Sequence, residues 1–205
     1  MIIEESNLKF CFSDEVSAIK FDDTDYYRKK FNNLPSGKGV DILVDSENIF
    51  QFIEIKNCTG HERENLWRTS VNNSKISSAP ETLEIGDRDS VDIEVAKKVA
   101  STISCLFGLW TKSKSVENSV ENSLELLKFY GGMNDKKICK DKKRILVILF
   151  LEGDFNVGTR VGTRSKKTIM KRIKDSIKNK LSWLNCTVTV VDSNTYNKRF
   201  FEVIK

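Results

Sequence analysis

The chain has 205 residues, of which 39% are apolar and 31% charged, with two prolines and ten glycines. This composition is typical of a globular protein and excludes collagen-like, low-complexity and wholly disordered chains. The sequence shows no apolar run of about eighteen residues and no signal-peptide pattern, so it predicts a soluble, cytoplasmic protein without a membrane partner.

Cysteine and histidine usage narrows the possible chemistry. The five cysteines stand far apart and are odd in number, which favours buried free thiols over a zinc site or a disulfide framework. His61 is the one histidine of the chain. Any catalysis must therefore depend on carboxylates and lysines.

The charge of the chain is strongly segregated. Residues 1–135 carry 16 lysines and arginines against 23 acids, whereas residues 136–180 carry 15 against 4. A basic block of this density predicts a polyanionic partner, nucleic acid above all. A solvated basic surface is the alternative interpretation.

Hydrophobic periodicity and turn residues predict the secondary structure. The predicted elements are, in chain order, a helix over residues 14–31, a hairpin of strands over 40–44 and 49–56, a short helix near 62–69 followed by a loop to residue 80, helices over 90–110 and 116–129, a strand over 144–152, a helix over 165–184 and a strand over 187–191. This order predicts an α/β fold with a mixed β-sheet flanked by helices.

Two of these elements carry more detailed expectations. The long helix over residues 90–110 is predicted to bury one apolar face, made of Val95, Val99, Ile103, Phe107 and Trp110. The helix after it is predicted to stop at Gly131–Gly132.

The candidate site consists of Asp41, Glu54 and Lys56. Glu54 and Lys56 are two residues apart in a strand, so both point to one face, and a two-residue turn at Glu47–Asn48 places Asp41 opposite Glu54. Like charges directly opposed across a sheet are destabilising, so a cation must neutralise them. Mg²⁺ suits this arrangement because it binds through one or two carboxylates and keeps places for water and phosphate oxygens.

These three groups together predict hydrolysis of a phosphodiester. Asp41 and Glu54 would hold the metal, and Lys56 would hold or help to deprotonate the attacking water. The alternative is an exposed hairpin face with an ordinary pair between Glu54 and Lys56, which contributes little.

The stretch over residues 39–44, the turn, and the stretch over residues 52–57 resemble the PD-(D/E)XK nuclease superfamily, which has the restriction-endonuclease-like fold. The resemblance implies a nuclease that uses Mg²⁺, or Mn²⁺ in its place, and acts on DNA in preference to RNA. It implies Asp41, Glu54 and the backbone carbonyl of Ile55 as metal ligands, with Lys56 beside the water. Val40 stands where that motif has its proline.

The resemblance also implies how the chain is organised. A single nuclease-like domain would span residues 1–205, with the first helix and the catalytic hairpin in residues 1–60. Residues 90–130 would form a helical insertion between the hairpin and the later strands, and residues 136–205 a basic strand–helix–strand portion.

A further acid is expected from the helix before the hairpin. Glu15 is the first candidate for this catalytic acid, and Asp22 and Asp23 are the alternatives. Acids in a first helical turn also occur simply as partners of the helix dipole.

Several basic residues are predicted to contact the nucleic-acid backbone, and they are Arg63, Arg68, Arg160, Arg164, Lys166, Lys167 and Lys171. Two other functions remain open: a nucleic-acid-binding module that no longer cleaves, and a protein-interaction subunit of a defence or repair complex. A homodimer is compatible with either.

Overall fold

The computed structural model describes residues 1–35, 37–72, 89–113, 121–140, 142–159 and 162–204, without the side chains of residues 121–123, 139, 157–159 and 162–164. The described strands are β1 (Ile2–Glu5), β2 (Leu8–Cys11), β3 (Ser17–Lys20), β4 (Ile42–Asp45), β5 (Ile49–Asn57), β6 (Arg144–Glu152), β7 (Val157–Thr159), β8 (Gly162–Arg164), β9 (Cys186–Val191) and β10 (Glu202–Ile204). The described α-helices are α1 (Asp25–Lys29), α2 (Glu62–Asn65), α3 (Val91–Ser113), α4 (Glu121–Met133), α5 (Lys136–Cys139) and α6 (Lys166–Lys180). None of the described helices combines the length and the apolar character needed to cross a membrane.

A five-stranded mixed sheet in the order β3-β4-β5-β6-β9 organises the fold. The first three strands pair antiparallel, and β5, β6 and β9 run parallel to one another. Parallel neighbours need a long crossover, which α3, α4 and α5 supply between β5 and β6 and α6 supplies between β6 and β9. The predicted α/β class, with a mixed sheet flanked by helices, is confirmed.

The two faces of the sheet are covered differently. On one face, side chains such as Phe52 and Leu149 pack against α3, α4 and α6. On the other, Ile53 and Phe150 pack against a three-stranded sheet in the order β1-β2-β10. β6 is covered from both sides, which explains its uninterrupted apolar sequence and confirms its prediction as a central strand.

The β4–β5 hairpin has the predicted register. Ile42 pairs with Ile53 and Asp45 with Phe50, and Ser46 closes the turn through hydrogen bonds with Ile49. Continuing this ladder by one residue brings Asp41 opposite Glu54, as the sequence predicts.

The helix predicted over residues 14–31 is wrong. Residues 17–20 form β3, which pairs with β4, and only a 3-10 turn at Phe21–Asp23 and the short α1 follow it. The strand forms because pairing with the edge of β4 supplies backbone hydrogen bonds that a short polar helix would have to make alone. The periodicity of Val16 and Ile19 misled the prediction, because these two residues pack on opposite faces of the fold.

The helices predicted over residues 62–69, 90–110 and 165–184 are present as α2 with its following 3-10 turn, α3 and α6. The predicted apolar face of α3 is wrong at Phe107, which is 51% exposed. The buried face is turned slightly and includes three polar residues: Asp92, Lys98 and Thr102. The loop predicted to reach residue 80 and the start of the helix predicted from residue 116 lie outside the described residues.

The predicted stop of α4 at Gly131–Gly132 is also wrong, since the helix continues to Met133. Gly132 is a packing glycine: a Cβ atom there would overlap the carboxylate of Asp45, which forms an ion pair with the buried Lys143. Gly131 has open space at the same point.

The contrast between these two glycines gives a stability prediction. Gly132→Ala should lower the free energy of unfolding by about 1–3 kcal/mol, because the added methyl group displaces Asp45 from Lys143. Gly131→Ala is the matched control and should be neutral or raise the free energy of unfolding by about 0.5 kcal/mol through better helix propensity. Urea denaturation of both variants is the measurement, and equal effects would contradict the packing role of Gly132.

Candidate functional site

The three predicted site residues share the helix-facing side of the sheet. In β5 this side carries Phe50, Phe52, Glu54 and Lys56 in succession, so an apolar row becomes polar at its end. Glu54 is 1% exposed and Asp41 is 5% exposed. The carboxylates therefore lie inside the protein, not on an exposed hairpin face.

Asp41 is fixed by the end of the ladder and by α3. It stands one residue before β4, and its Oδ2 accepts a hydrogen bond from the backbone N–H of Ile55 at 2.6 Å. Thr102 of α3 holds the preceding residue, because its hydroxyl oxygen accepts from the N–H of Val40 at 3.0 Å. Ile55, whose backbone carbonyl is predicted as a metal ligand, lies in β5 between Glu54 and Lys56.

Lys98 of α3 joins the two carboxylates. Its Nζ donates to Asp41 Oδ1 at 3.1 Å and to Glu54 Oε1 at 2.6 Å. A single ammonium group thus occupies the position between Asp41 and Glu54 that the sequence assigns to a cation. Lys98 is not among the site residues predicted from the sequence.

A chain of ion pairs continues from Glu54 along α3. Lys56 Nζ lies 2.6 Å from Glu54 Oε1 and 3.0 Å from Glu94 Oε1. The other oxygen of Glu94 lies 2.5 Å from the guanidinium of Arg68. Three acids and three bases therefore alternate in one network, and Glu94, like Lys98, is not among the site residues predicted from the sequence.

Burial and the neighbouring charges set the pKa values of the inner groups. Burial raises the pKa of Asp41 and of Glu54 despite the neighbouring lysines. Burial alone would lower the pKa of Lys56 and of Lys98, but the attraction of Glu54 and the other acids outweighs it and raises both. All four groups therefore hold their protons more firmly than they do in water.

The acid expected upstream of the hairpin is placed differently from the sequence prediction. Glu15 lies in an exposed turn before β3, not in a helix. Its competitor Asp22 lies in the 3-10 turn that follows β3. Burial together with the charges of Glu5 and Glu54 raises the pKa of Asp22, although Lys20 and Lys98 oppose this rise. Asp23 is exposed and forms an ion pair with Arg28 on α1.

Glu5 reaches this region from the end of β1. It pairs with Lys20 at 2.9 Å, and the tip of the β1–β2 hairpin contacts β5 through a hydrogen bond from Asn57 to the carbonyl of Ser6 at 2.9 Å. Neither Glu5 nor Lys20 is among the predicted site residues, because β1 was not predicted and the segment of β3 was predicted as a helix.

The predicted nucleic-acid contacts have different environments. Arg63 is exposed on α2, whereas Arg68 is committed to Glu94. Lys166 pairs with Asp192 at 2.6 Å, and Lys167 and Lys171 are exposed on α6. Arg160 lies outside the described residues, and Arg164 belongs to β8 without a described side chain.

The carboxylates of the pocket determine whether it suits a divalent cation. Within the described ranges, no three His, Cys, Asp or Glu side chains are grouped so that they could hold a metal ion. Asp41 and Glu54 supply two carboxylates, which is the number that Mg²⁺ commonly takes from a protein while keeping water and phosphate oxygens. Glu54 Oε2 is buried and has no hydrogen-bond partner among the described residues, so one ligand oxygen is unsatisfied. The two carboxylates suit Mg²⁺, and Lys98 occupies the contact between them in this structure.

The ion pairs of Glu94 predict how the free energy of unfolding depends on pH. Burial would raise its pKa, but Lys56 and Arg68 lower the pKa of Glu94 from 4.5 to about 2. A carboxyl group with a lowered pKa stabilises the fold above its unfolded pKa, and this contribution is lost as the pH falls through its folded pKa. Glu94→Gln should therefore cost on the order of 2 kcal/mol at neutral pH, and less toward pH 2.

Urea denaturation at neutral pH and near pH 3 measures this difference. Glu125→Gln, which changes an exposed acid on α4, is the control and should have little effect at either pH. A destabilisation by Glu94→Gln that is the same at both pH values would contradict the electrostatic role of Glu94.

Comparison with known proteins identifies the family of the chain. The family model of DUF6661, described as a family of unknown function, matches residues 24–205. No match was found among curated proteins or among solved structures. The matched range contains the hairpin and α3, with Asp41, Glu54 and Lys98, and leaves out Glu5 and Asp22. The chain belongs to the DUF6661 family.

Proposed function

We propose that this protein is a Mg²⁺-dependent nuclease that hydrolyses phosphodiester bonds, with DNA as its preferred substrate and Mn²⁺ as a substitute metal. The observation that carries the proposal is the convergence of the Asp41 and Glu54 carboxylates on one cation position inside the sheet–helix layer. Two carboxylates buried side by side are costly unless a cation joins them.

The order of the elements supports a restriction-endonuclease-like fold. Three antiparallel strands, β3 to β5, are followed by α3 and by β6, which pairs parallel with β5. The resemblance to the PD-(D/E)XK superfamily implies this succession, with the acids on the hairpin strands. One departure is that the β1–β2 hairpin, not a helix, precedes the first of these strands.

Each residue of the pocket has a definite task in this proposal. Asp41 and Glu54 hold the metal, which when bound lowers the pKa of a coordinated water and offsets negative charge on the phosphate. Lys56 positions the water and stabilises developing negative charge as a hydrogen-bond donor. The raised pKa of Lys56 favours this donor role over that of a general base. Glu94 orients Lys56, because its carboxylate forms the second ion pair of the Lys56 ammonium group.

The basic surface of α6 supports a polyanionic substrate. Four exposed lysines follow one side of the helix at spacings of four, three and four residues: Lys167, Lys171, Lys174 and Lys178. At the start of α6, Lys166 forms an ion pair with Asp192, the residue that follows β9. Since β5, β6 and β9 are parallel, this start lies at the same edge of the sheet as Lys56, where ligands commonly bind in α/β folds.

A binding module without cleavage is the second candidate. The observation that favours it is Lys98, which pairs with both Asp41 and Glu54 without a metal ion. Such a protein would bind nucleic acid through α6 and remain inactive when Mg²⁺ is added.

Cleavage assays separate the two candidates. Purified protein should cut one or more of single-stranded, duplex and branched DNA with Mg²⁺, and not with EDTA. Lys56→Ala, Asp41→Asn and Glu54→Gln should each lower the rate at least about 100-fold, because the first removes the positive charge beside the developing negative charge and the other two remove carboxylate charges that hold the metal. Lys9→Ala, an exposed change on β2, is the control and should retain full activity. Cutting that persists in EDTA or after Lys56→Ala would refute the mechanism.

Salt dependence tests the binding surface separately from cleavage. Lys167→Gln combined with Lys171→Gln should weaken DNA binding and make the plot of log affinity against log salt less steep by about 1.8, since each lost phosphate contact accounts for about 0.9. The matched double variant Lys9→Gln with Lys198→Gln removes two exposed lysines on the β2 side and should leave the slope unchanged. Equal slopes for both double variants would contradict the role of α6.

A further inference from the structure

Lys98 is held in a position that a metal ion would also require. Its ammonium group contacts Asp41 Oδ1 and Glu54 Oε1, and its side chain is only 11% exposed. Glu54 Oε2, by contrast, has no partner among the described residues. Oε1 of Glu54 therefore has a cationic partner, whereas Oε2 has no hydrogen-bond partner among the described residues.

The charges of the network balance without a metal. Three acids, Asp41, Glu54 and Glu94, are matched by Lys56, Lys98 and Arg68. A divalent cation bound to Asp41 and Glu54 would lie within a few ångströms of the Lys98 ammonium, where the repulsion between like charges is strong in a buried site. The two cations cannot both occupy the contact between these carboxylates.

We propose that Lys98 is an internal counter-cation that holds Asp41 and Glu54 together in the metal-free protein and is displaced from both by a divalent metal ion. The inference rests on the proposed function, because it takes Asp41 and Glu54 as the metal ligands. The lysine side chain suits this task, since its flexible four-carbon stem lets the ammonium group move while α3 stays in place. Thr102 and Glu94 keep that helix attached to the hairpin.

Metal titration of full-length variants tests the proposal. Lys98→Met removes the competing charge, so it should lower the melting temperature of the metal-free protein and bind Mn²⁺ at least about tenfold more tightly than the unchanged protein, a difference of about 1.4 kcal/mol. Its melting temperature should rise more with Mn²⁺ for the same reason. Lys97→Met is the matched control, because the neighbouring Lys97 is 65% exposed and pairs with Asp89 outside the network.

A second measurement uses the unchanged protein and does not depend on the folding of a variant. Lys98 should react slowly with an amine-acetylating reagent in EDTA and several-fold faster with Mn²⁺. Lys97 should react at the same rate in both conditions. Mass spectrometry of the peptides measures the acetylation of each lysine. If the unchanged protein binds Mn²⁺ but Lys98→Met binds it no more tightly and Lys98 stays protected, the counter-cation role is refuted and the metal site stands. If neither protein binds Mn²⁺, the proposed function fails as well.

Discussion

The burial of the Glu54 carboxylate beside Asp41 is the constraint on which the candidate site depends. Both acids face the helical layer, where water cannot solvate them, so they can remain ionised only if a neighbouring element supplies positive charge. α3 supplies it through Lys98, and the same helix binds the hairpin again through Thr102 and Glu94. The position of α3 over β4 and β5 therefore follows from electrostatic need as well as from the packing of Val95 and Val99.

The hairpin, β6 and α6 could be predicted because their patterns are local. The β4–β5 turn fixes the register within a few residues, so the opposition of Asp41 and Glu54 follows from counting. The apolar run of β6 and the spacing of Ile169, Ile173 and Ile177 in α6 each mark an element without reference to the rest of the chain.

The remaining structure depends on pairing between distant residues. β2 pairs with β10 near the other end of the described chain, and β3 exists because β4 offers a free edge. Lys98 meets Asp41 and Glu54 across 57 and 44 residues of sequence. A signal for Lys98 was present, since it stands three residues after Val95 and four before Thr102 in the stripe that α3 buries, but its partners could not be identified from the stripe alone.

Two departures from the usual burial pattern meet at one point. In β5 the helix-facing row is apolar at Phe52 and charged at Glu54, and in α3 the buried stripe is apolar at Val95 and charged at Lys98. Replacing a buried ion pair by apolar side chains of similar volume is often neutral or stabilising, so stability alone does not account for this pair. Local rules are most often broken where a protein performs its chemistry. The meeting of Lys98 with Glu54 and Asp41 is therefore the strongest structural reason to seek the function of the protein in this pocket.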